Sequence, residues 1–591
     1  LVTAAEQEIG QNSYGGKLAE PMINWSGQIL AQHQMIRKTP VNIYSLACFS
    51  LATLAFMFNY ATGHRGVFLL DQSMIFDGGW RILQGQIPYK DFLIPFGPVT
   101  FYIQALFFWL FGVNWTATVL PACLMSFAAT LIAIRIVRLL VDGSRLLALG
   151  AGAATAICFN APFGTLWLEQ TTMFFDLLAL LAVVESLRAP ARQKSFWRAG
   201  SGLLLAVAML TKQNYGVLFA PVVFAVAAAG ELPDIRQACR SVMVTAAGII
   251  VGLAAFLVWA GVASDLASFF QRTVVVAGEI GRSRMTPAAI IQAVTFNATP
   301  KLFQIDLIGF FSGCVALFLG ICNYLGGDSE ATIWRETAPA ALIAIAVSWF
   351  RSLTQVTTLN EWQNSLAFMG LAGCLGIGLC FRIISYLSVV PARERSLPLR
   401  LPSARSVQIV LCVVAGMWGM LLLGYEAQVA WSRKIQHFPA GARFQEAVRV
   451  RGMERVLWGE PTTIRMTTPL NRTDFEGLVT YLSANGSPFF VMGDSTILYG
   501  LLGIPSPQPL LYFLPSHSFL KEEIAELDEL VAASLERNKV AIIVREKVTH
   551  LTQVRDAYPQ FPRTWQWFTA NFDHMKDYGI YEVWARRSPG R

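Results

Sequence analysis

Three carboxylates, Asp71, Asp77 and Asp91, stand in the stretch LLDQSMIFDGGWRILQGQIPYKDFLIPFGP, residues 69–98, directly after the first long apolar run. A carboxylate that is ionised at working pH can take the proton from an attacking hydroxyl, and a base of this kind is worth about 10²–10⁴-fold in rate. Cations occur where a departing anion would need holding. Lys212 interrupts the apolar run 200–229 within TKQNYG, and Arg282 and Arg284 lie in EIGRSRM. An ammonium in an apolar run is costly, so it serves function, pairs with an acid or snorkels to the interface. Glu169, in LWLEQTTMFFD, could pair with Lys212 or orient an acceptor, and Asp176 in the same stretch could equally face a neighbouring helix. Tyr89, Lys90, Asp91 and Gln213 are the further candidates for lining one substrate cavity with Asp71, although a tight turn alone also accounts for 89–91. The plain alternatives stay open beside these roles: a helix N-cap for Asp71, a water-facing charge for Asp77 and a solvated loop for the two arginines.

Other chemistries lack their residues. The six histidines show no HxxxH or HExxH spacing, and neither GxGxxG nor a P-loop is present. No cofactor is expected, and a divalent metal has no ligand spacing to support it. The nine cysteines form no CxxC pair, and all but Cys239 sit in apolar runs, so they read as small buried hydrophobes.

The elements that must position these groups are membrane helices. Of 591 residues 54% are hydrophobic and 14% charged, with a mean hydropathy of +0.47, whereas soluble chains carry about 25% charged residues. The net charge of +8 resides in short Lys/Arg clusters between apolar runs, the pattern of topology determinants facing anionic lipid; membrane lipids are therefore expected as partners and nucleic acid is not. Spans are expected near 41–62, 115–137, 144–160, 172–187, 241–261, 303–325, 337–352, 364–386 and 407–424. The run 200–229 divides into two short helices at TKQNYG. The run 99–112 is too short to cross and suits an interfacial helix. The result is a polytopic α-helical membrane protein of about eleven spans. A polar segment, 1–40, lies inside without a secretory signal, and the spans occupy 41–424. This orientation keeps Arg37, Lys38, Arg135, Arg138, Arg145, Arg188, Arg192, Lys194, Arg198, Arg236, Arg240 and the arginines of 382–405 in the cytoplasm, as the positive-inside rule requires.

Loops 63–114 and 262–301 and the tail 425–591 then lie outside. The first loop reads as interfacial helices around a Gly/Pro-rich turn. In the tail, SPFFVMGD, VAIIVRE and YEVWARR read as strands and 518–539 as an amphipathic helix, which makes an extracytoplasmic α/β domain of about 165 residues, large enough to fold alone. The segment 493–517, rich in aromatics and prolines, could cover the groove or simply supply core and turns.

Asp71, Gly85, Pro88, Tyr89, Asp91, Gly97 and Pro98, taken in order, resemble the first outside loop of type C (GT-C) membrane glycosyltransferases. The likeness is to the bacterial branch near the protein O-mannosyltransferases, aminoarabinose transferases and rhizobial lipopolysaccharide sugar transferases. LFG (110–112) and GLLLAVAMLTKQNYG (202–216) are similar to further pieces of the same pattern. The resemblance covers about residues 40 to 300, with later parts alike in layout only. It implies a GT-C fold, a polyprenyl-phosphate sugar donor, a catalytic acid at Asp71 and transfer on the outer face of a bacterial inner membrane. Many of that family have Asp-Glu where this chain has Asp71-Gln72, so no second carboxylate adjoins Asp71 here to serve, for example, as a metal ligand.

The chemistry is coherent by itself. Nucleotide sugars stay in the cytosol, so an outward-facing transferase requires a donor that has already crossed. A lipid phosphate is a competent leaving group once cations hold it, and direct displacement by an acceptor hydroxyl inverts the anomeric centre. The acceptor, whether glycan, lipid or protein, is left open by the sequence. Two rival readings are a lipid-diphosphate-dependent glycan polymerase or ligase, which would want an Arg-rich outer loop, and a transporter, which would want internal repeats and charges at midplane.

Overall fold

The computed structural model describes residues 41–141, 144–295, 306–325, 332–358, 366–389, 404–432, 438, 441–460, 471–511, 513, 518–547 and 561–587. The polar segment 1–40, the end of the loop 262–301, Arg393, Arg395 and Arg400, and residues 514–517 lie outside the described residues. The chain divides into two units, Leu1–Ser50 and Leu51–Arg591; the described part of the first is the start of helix α1, with Ile43, Leu46 and Phe49 facing outward. Everything below concerns the second unit.

Helix α1 (Val41–Gly63) leads into the first loop, which carries α2 (Leu69–Leu83) and α3 (Val99–Phe111). The membrane helices that follow are α4 (Trp115–Leu140), α5 (Arg145–Cys158), α6 (Leu168–Arg188), α7 (Ala191–Met209), α8 (Gln213–Ala229) and α9 (Ile235–Ala263). A second connecting segment holds α10 (Leu266–Phe270), a π-helical turn (Gln271–Val276), α11 (Ala277–Arg284) and α12 (Pro287–Val294). Helices α13 (Asp306–Leu325), α14 (Thr332–Thr358), α15 (Met369–Val389) and α16 (Ala404–Ser432) complete the bundle. Among the described residues 7 helices are long and apolar enough to cross a membrane alone: α1, α4, α6, α9, α14, α15 and α16. With α5, α7, α8 and α13 these correspond to the spans read from the sequence.

Helix α7 begins about ten residues before its apolar run, so Lys194 and Arg198 lie on a helix rather than in a loop. The reason is a shared carboxylate: Glu231, just past α8, takes Lys194 at 2.9 Å and also Arg198, which holds the basic end of α7 in register. Helix α3 is interfacial in character. It buries Thr100, Phe101, Gln104, Ala105 and Phe108 against α2 while Leu106, Trp109, Leu110 and Phe111 point away from the protein.

The C-terminal part, read above as the outer domain, contains a hairpin of β1 (Arg443–Ala447) and β2 (Leu457–Glu460). Its four-stranded sheet has the order β3-β4-β6-β5, from β3 (Phe489–Met492), β4 (Ile542–Glu546), β5 (Phe572–Tyr578) and β6 (Tyr581–Arg586). Strands β3 and β4 are parallel and the other pairs antiparallel. Both β3 and β4 are nearly all buried, as their uninterrupted apolar runs require. Helices α17 (Arg472–Asn485), α18 (Ile497–Leu502), α19 (Ile524–Arg537) and α20 (Pro562–Asn571) pack around the sheet; α19 does so through Leu527, Val531 and Leu535, spaced four apart. Strand β5 had escaped the sequence reading, because FDHMKDY buries little beyond Phe572.

This outer domain does not stand apart from the first loop. One core joins Phe76, Trp80, Phe108 and Trp115 to Trp458, Phe475, Val491 and Tyr499. Backbone ties cross the same boundary: Leu93 N–H donates to Pro509 O at 2.7 Å and Leu511 N–H to Leu93 O at 3.2 Å. Trp80 Nε1 donates to Ile504 O at 3.0 Å. Asp77, for which a water-facing charge was the plain alternative, is instead fully buried and takes Arg81 Nε at 2.9 Å. Arg81 continues outward to Gln508 O at 2.5 Å and to Ser506 Oγ, and its guanidinium lies over Phe92. The correction has a simple cause, since an acid and an arginine four apart on a helix face each other and the outer segment 504–511 closes over them. Those prolines and small residues clamp α2.

Removing one partner of a buried ion pair leaves the other uncompensated and costs about 3–5 kcal/mol. Arg81→Leu is therefore expected to lower the thermal midpoint of the solubilised protein markedly, whereas an unchanged midpoint would contradict a fully buried pair. Burial pushes the Asp77 carboxyl up to about 6 despite the pull of Arg81. A carboxyl raised in the folded chain favours folding below its unfolded value of about 3.9, and that advantage is lost as pH rises through the folded value. Thermal midpoints measured between pH 4 and 6.5 should show the wild type losing stability relative to Asp77→Asn as pH increases.

Candidate functional site

Helix α2 opens without a side-chain cap at Phe68, whose backbone is extended at φ −106° and ψ 101°. Its N–H is instead taken by Gln72 Oε1 at 2.6 Å, from one turn along. The amide nitrogen of Gln72 donates to Phe163 O at 3.3 Å and Thr165 Oγ1 at 3.1 Å in the loop before α6. Asp71 is thus not the cap of its helix. It stands in the first turn, where the helix dipole favours a negative charge, and it lines a cavity.

The opposite wall comes from the junction of α7 and α8. Residues 210–212 turn sharply, and Lys212 adopts an extended backbone before α8 starts. The turn is tight enough that a Cβ on Gly216 would lie 2.5 Å from Met209 N, so TKQNYG must end in glycine. Gly97 has the same kind of reason. A Cβ there would stand 1.8 Å from Leu210 O, so only glycine lets the first-loop turn rest on this junction. Lys212 is 8% exposed, and its ammonium is bound by Glu169 Oε1 from the first turn of α6. Rings of Phe96 and Tyr215 stand 5.7 and 5.2 Å from it. Gln213 spans the neighbouring gap, donating to Pro95 O at 3.0 Å and Thr273 O at 2.9 Å.

The cavity between these walls has a volume of about 590 Å³. Asp71, Glu169, Lys212, Gln213 and Arg284 all line it, and the remaining surface is largely apolar, from Met74, Ile75, Phe96, Trp167, Leu218 and Ile280 among others. The other candidates lie elsewhere. Arg282 is on the outer side of α11, 82% exposed, with Glu279 at 3.5 Å. Tyr89, Lys90 and Asp91 are not in the lining. Tyr89 is a buried strut at φ 69°, donating its hydroxyl to Phe96 O at 2.5 Å, and Asp91 closes the turn by accepting Ile87 N–H at 2.7 Å. Lys90 is exposed at the tip. Asp176 lies buried inside α6, and neither carboxylate oxygen has a hydrogen-bond partner among the described residues.

Two contributors escaped the sequence reading. Thr273, on the π-helical turn, lines the cavity and receives Gln213 through its carbonyl. Arg272, beside it, is 6% exposed and reaches Glu523 of the outer domain at 3.0 Å, while Gln271 donates to the same carboxylate at 3.1 Å. No sequence spacing links residues 272 and 523. Among the described residues no group of three His, Cys, Asp or Glu side chains comes together to hold a metal.

Residues 95–260 match the family model described as dolichyl-phosphate-mannose-protein mannosyltransferase. The match contains Glu169 and Lys212 and stops short of Asp71. No curated protein matches the chain. Among solved structures, the chain is similar to ArnT from Cupriavidus metallidurans bound to undecaprenyl phosphate, at 14% identity over 93% of this chain and 99% of that one, with a TM-score of 0.48. For the same enzyme in the apo state the identity is 13%, over 93% and 98%, with a TM-score of 0.47. For the arabinosyltransferase EmbB from Mycobacterium smegmatis it is 12%, over 73% and 43%, with a TM-score of 0.33.

Because Gly97 meets a backbone carbonyl, nothing flexible can yield to a methyl group there. Gly97→Ala is expected to cost at least about 1–3 kcal/mol, the usual penalty of overpacking, read as a lower thermal midpoint; a variant as stable as wild type would show that the turn is not seated on the junction.

Proposed function

We propose that this chain, a membrane glycosyltransferase of the type C class, moves a sugar from a polyprenyl-phosphate donor to an acceptor hydroxyl, with inversion at the anomeric carbon. The observation that supports this best is the single hollow that sets the Asp71 carboxylate against the Lys212 and Arg284 cations in otherwise apolar surroundings. An apolar cleft with a few placed polar groups is the usual form of a small-ligand site. The phosphate would rest by Lys212 and Arg284, with the prenyl chain leaving past the exposed apolar residues Val217, Val274 and Met285 at the rim.

In the reaction, the acceptor hydroxyl gives its proton to Asp71 as its oxygen forms the new bond to the anomeric carbon. The bond from that carbon to the phosphate oxygen breaks, and the electron pair leaves with polyprenyl phosphate, held by the two cations. Charge developing on that oxygen in a dry site is stabilised far more than it would be in water. Glu169 holds the ammonium of Lys212 in place. Arg282 is left out of this reading because it faces solvent.

Charge supports a reading of the side of the membrane. Arg188 ends α6, and Arg192, Lys194 and Arg198 begin α7, whereas the cavity takes Glu169 from the start of α6 and Lys212 from just past the end of α7. The basic ends therefore lie one helix length, about 30 Å, from the hollow. The positive-inside rule supports reading the hollow as extracytoplasmic, which in a bacterial cell would be the periplasmic face of the inner membrane.

Asp71→Asn should lower turnover about 10²–10⁴-fold and leave undecaprenyl phosphate binding intact. Lys212→Met should weaken that binding about 10–100-fold, the worth of a charge-assisted hydrogen bond. Both are checked by sugar transfer in membranes and by titration with undecaprenyl phosphate. Full transfer by Asp71→Asn, or a transport defect in place of a transfer defect, would sink the proposal.

A further inference from the structure

Gln72 follows the proposed base directly in sequence yet faces the other way. It is 1% exposed, and its side-chain amide is bonded at both ends: Oε1 accepts Phe68 N–H, and Nε2 donates to Phe163 O and Thr165 Oγ1. One side chain thereby joins the first turn of α2, which carries Asp71, to the loop that runs into α6, which carries Glu169. The rings around it repeat the tie, with Phe68 stacked on Trp167 at 6.4 Å and Phe163 against Trp167 at 4.8 Å. Trp167 and Leu168, next along that loop, are in the cavity lining.

Resting on the function proposed above, we infer that Gln72 is a positioning residue that sets the gap between the base on α2 and the ammonium that Glu169 holds. The argument is one of donors and acceptors. The Phe68 N–H needs an acceptor and the Phe163 carbonyl needs a donor; an amide provides both at once, whereas an ionised carboxylate can only accept. A carboxylate at position 72 would satisfy Phe68 and repel the Phe163 carbonyl, moving α2 off the α6 loop while leaving the Lys212 wall untouched. A misplacement of about 1 Å at reacting atoms can cost on the order of 10²-fold in rate.

The test uses the full chain returned to membranes of a strain lacking it, which supply donor and acceptor as they occur there. Transfer is followed by mass spectrometry of the surface glycan from pH 5.5 to 8, and undecaprenyl phosphate binding is titrated separately. Gln72→Glu is expected to transfer about 10²-fold more slowly at pH 8, with the deficit shrinking toward pH 5.5 as the carboxyl takes a proton and can again donate to Phe163. Gln72→Met should be slow at every pH, and both should bind undecaprenyl phosphate within about twofold of wild type, since less than 0.5 kcal/mol of binding is at stake. A Gln72→Glu rate equal to wild type at pH 8, a loss independent of pH, or a parallel loss of binding would each overturn the inference. Should the Gln72 variants fail to fold, Thr165→Val removes one acceptor of the amide and keeps Gln72 itself; slower transfer with retained binding supports the inference, and an unchanged rate overturns it. Loss of transfer in Asp71→Asn alongside a wild-type rate in Gln72→Glu defeats this inference alone, whereas full transfer by Asp71→Asn defeats the proposed function and this inference with it.

Discussion

An ammonium drawn out of water between two helix ends has to be met by an anion, and in this chain that demand organises everything near the cavity. Desolvation of a lysine costs several kcal/mol unless the charge is paired. Glu169 on α6 meets Lys212 at the junction of α7 and α8, with the faces of Phe96 and Tyr215 beside them. Three chain segments distant in sequence must therefore converge on one point. The convergence in turn demands glycine at 97 and 216, where backbone lies on backbone with no room for a side chain. The glycines and the charges of the sequence pattern are thus two sides of one packing problem, and the hollow is what remains between the helix that carries Asp71 and that knot.

The outer domain is part of the same construction. Its aromatic core is continuous with that of the first loop, and its 504–511 segment receives the buried Arg81. A second attachment runs from Glu523 to Gln271 and Arg272 on the π-helical turn. Such turns are uncommon and gather at functional sites. Here it brings the carbonyl of Thr273 to Gln213 while turning Arg272 toward the outer domain. Both rims of the hollow, α2 on one side and residues 271–276 on the other, therefore contact the C-terminal domain.

Much of this was legible in the sequence because the signals were local or chemically expensive. Ten apolar runs, with basic clusters between some of them, marked the spans, and a lysine in one run marked the junction. An acid at the mouth of the first span marked Asp71, and the acid Glu169 marked the partner of Lys212. What escaped was long-range or looked ordinary. Arg272 finds Glu523 only after the outer domain has folded over it. For Asp77 a water-facing charge stayed open as the plain alternative, although Arg81 four residues on was a visible partner; what could not be seen was the segment that buries both. Arg282 and Arg284 were indistinguishable in EIGRSRM until the helix turned one outward and the other to the cavity. Gln72 read as a missing carboxylate, and only coordinates show an amide in use at both ends.

Helix α3 carries a last consequence. Its inner face, through Phe101 and Phe108, is locked to Gly78 and Phe76 of α2, while Trp109 and its neighbours are left bare to the surroundings. Indole rings settle at the boundary between hydrocarbon and headgroups, so α3 has the surface of a float beside the helix that bears Asp71. In that position the depth of the hollow would be set by a waterline rather than by the length of any span.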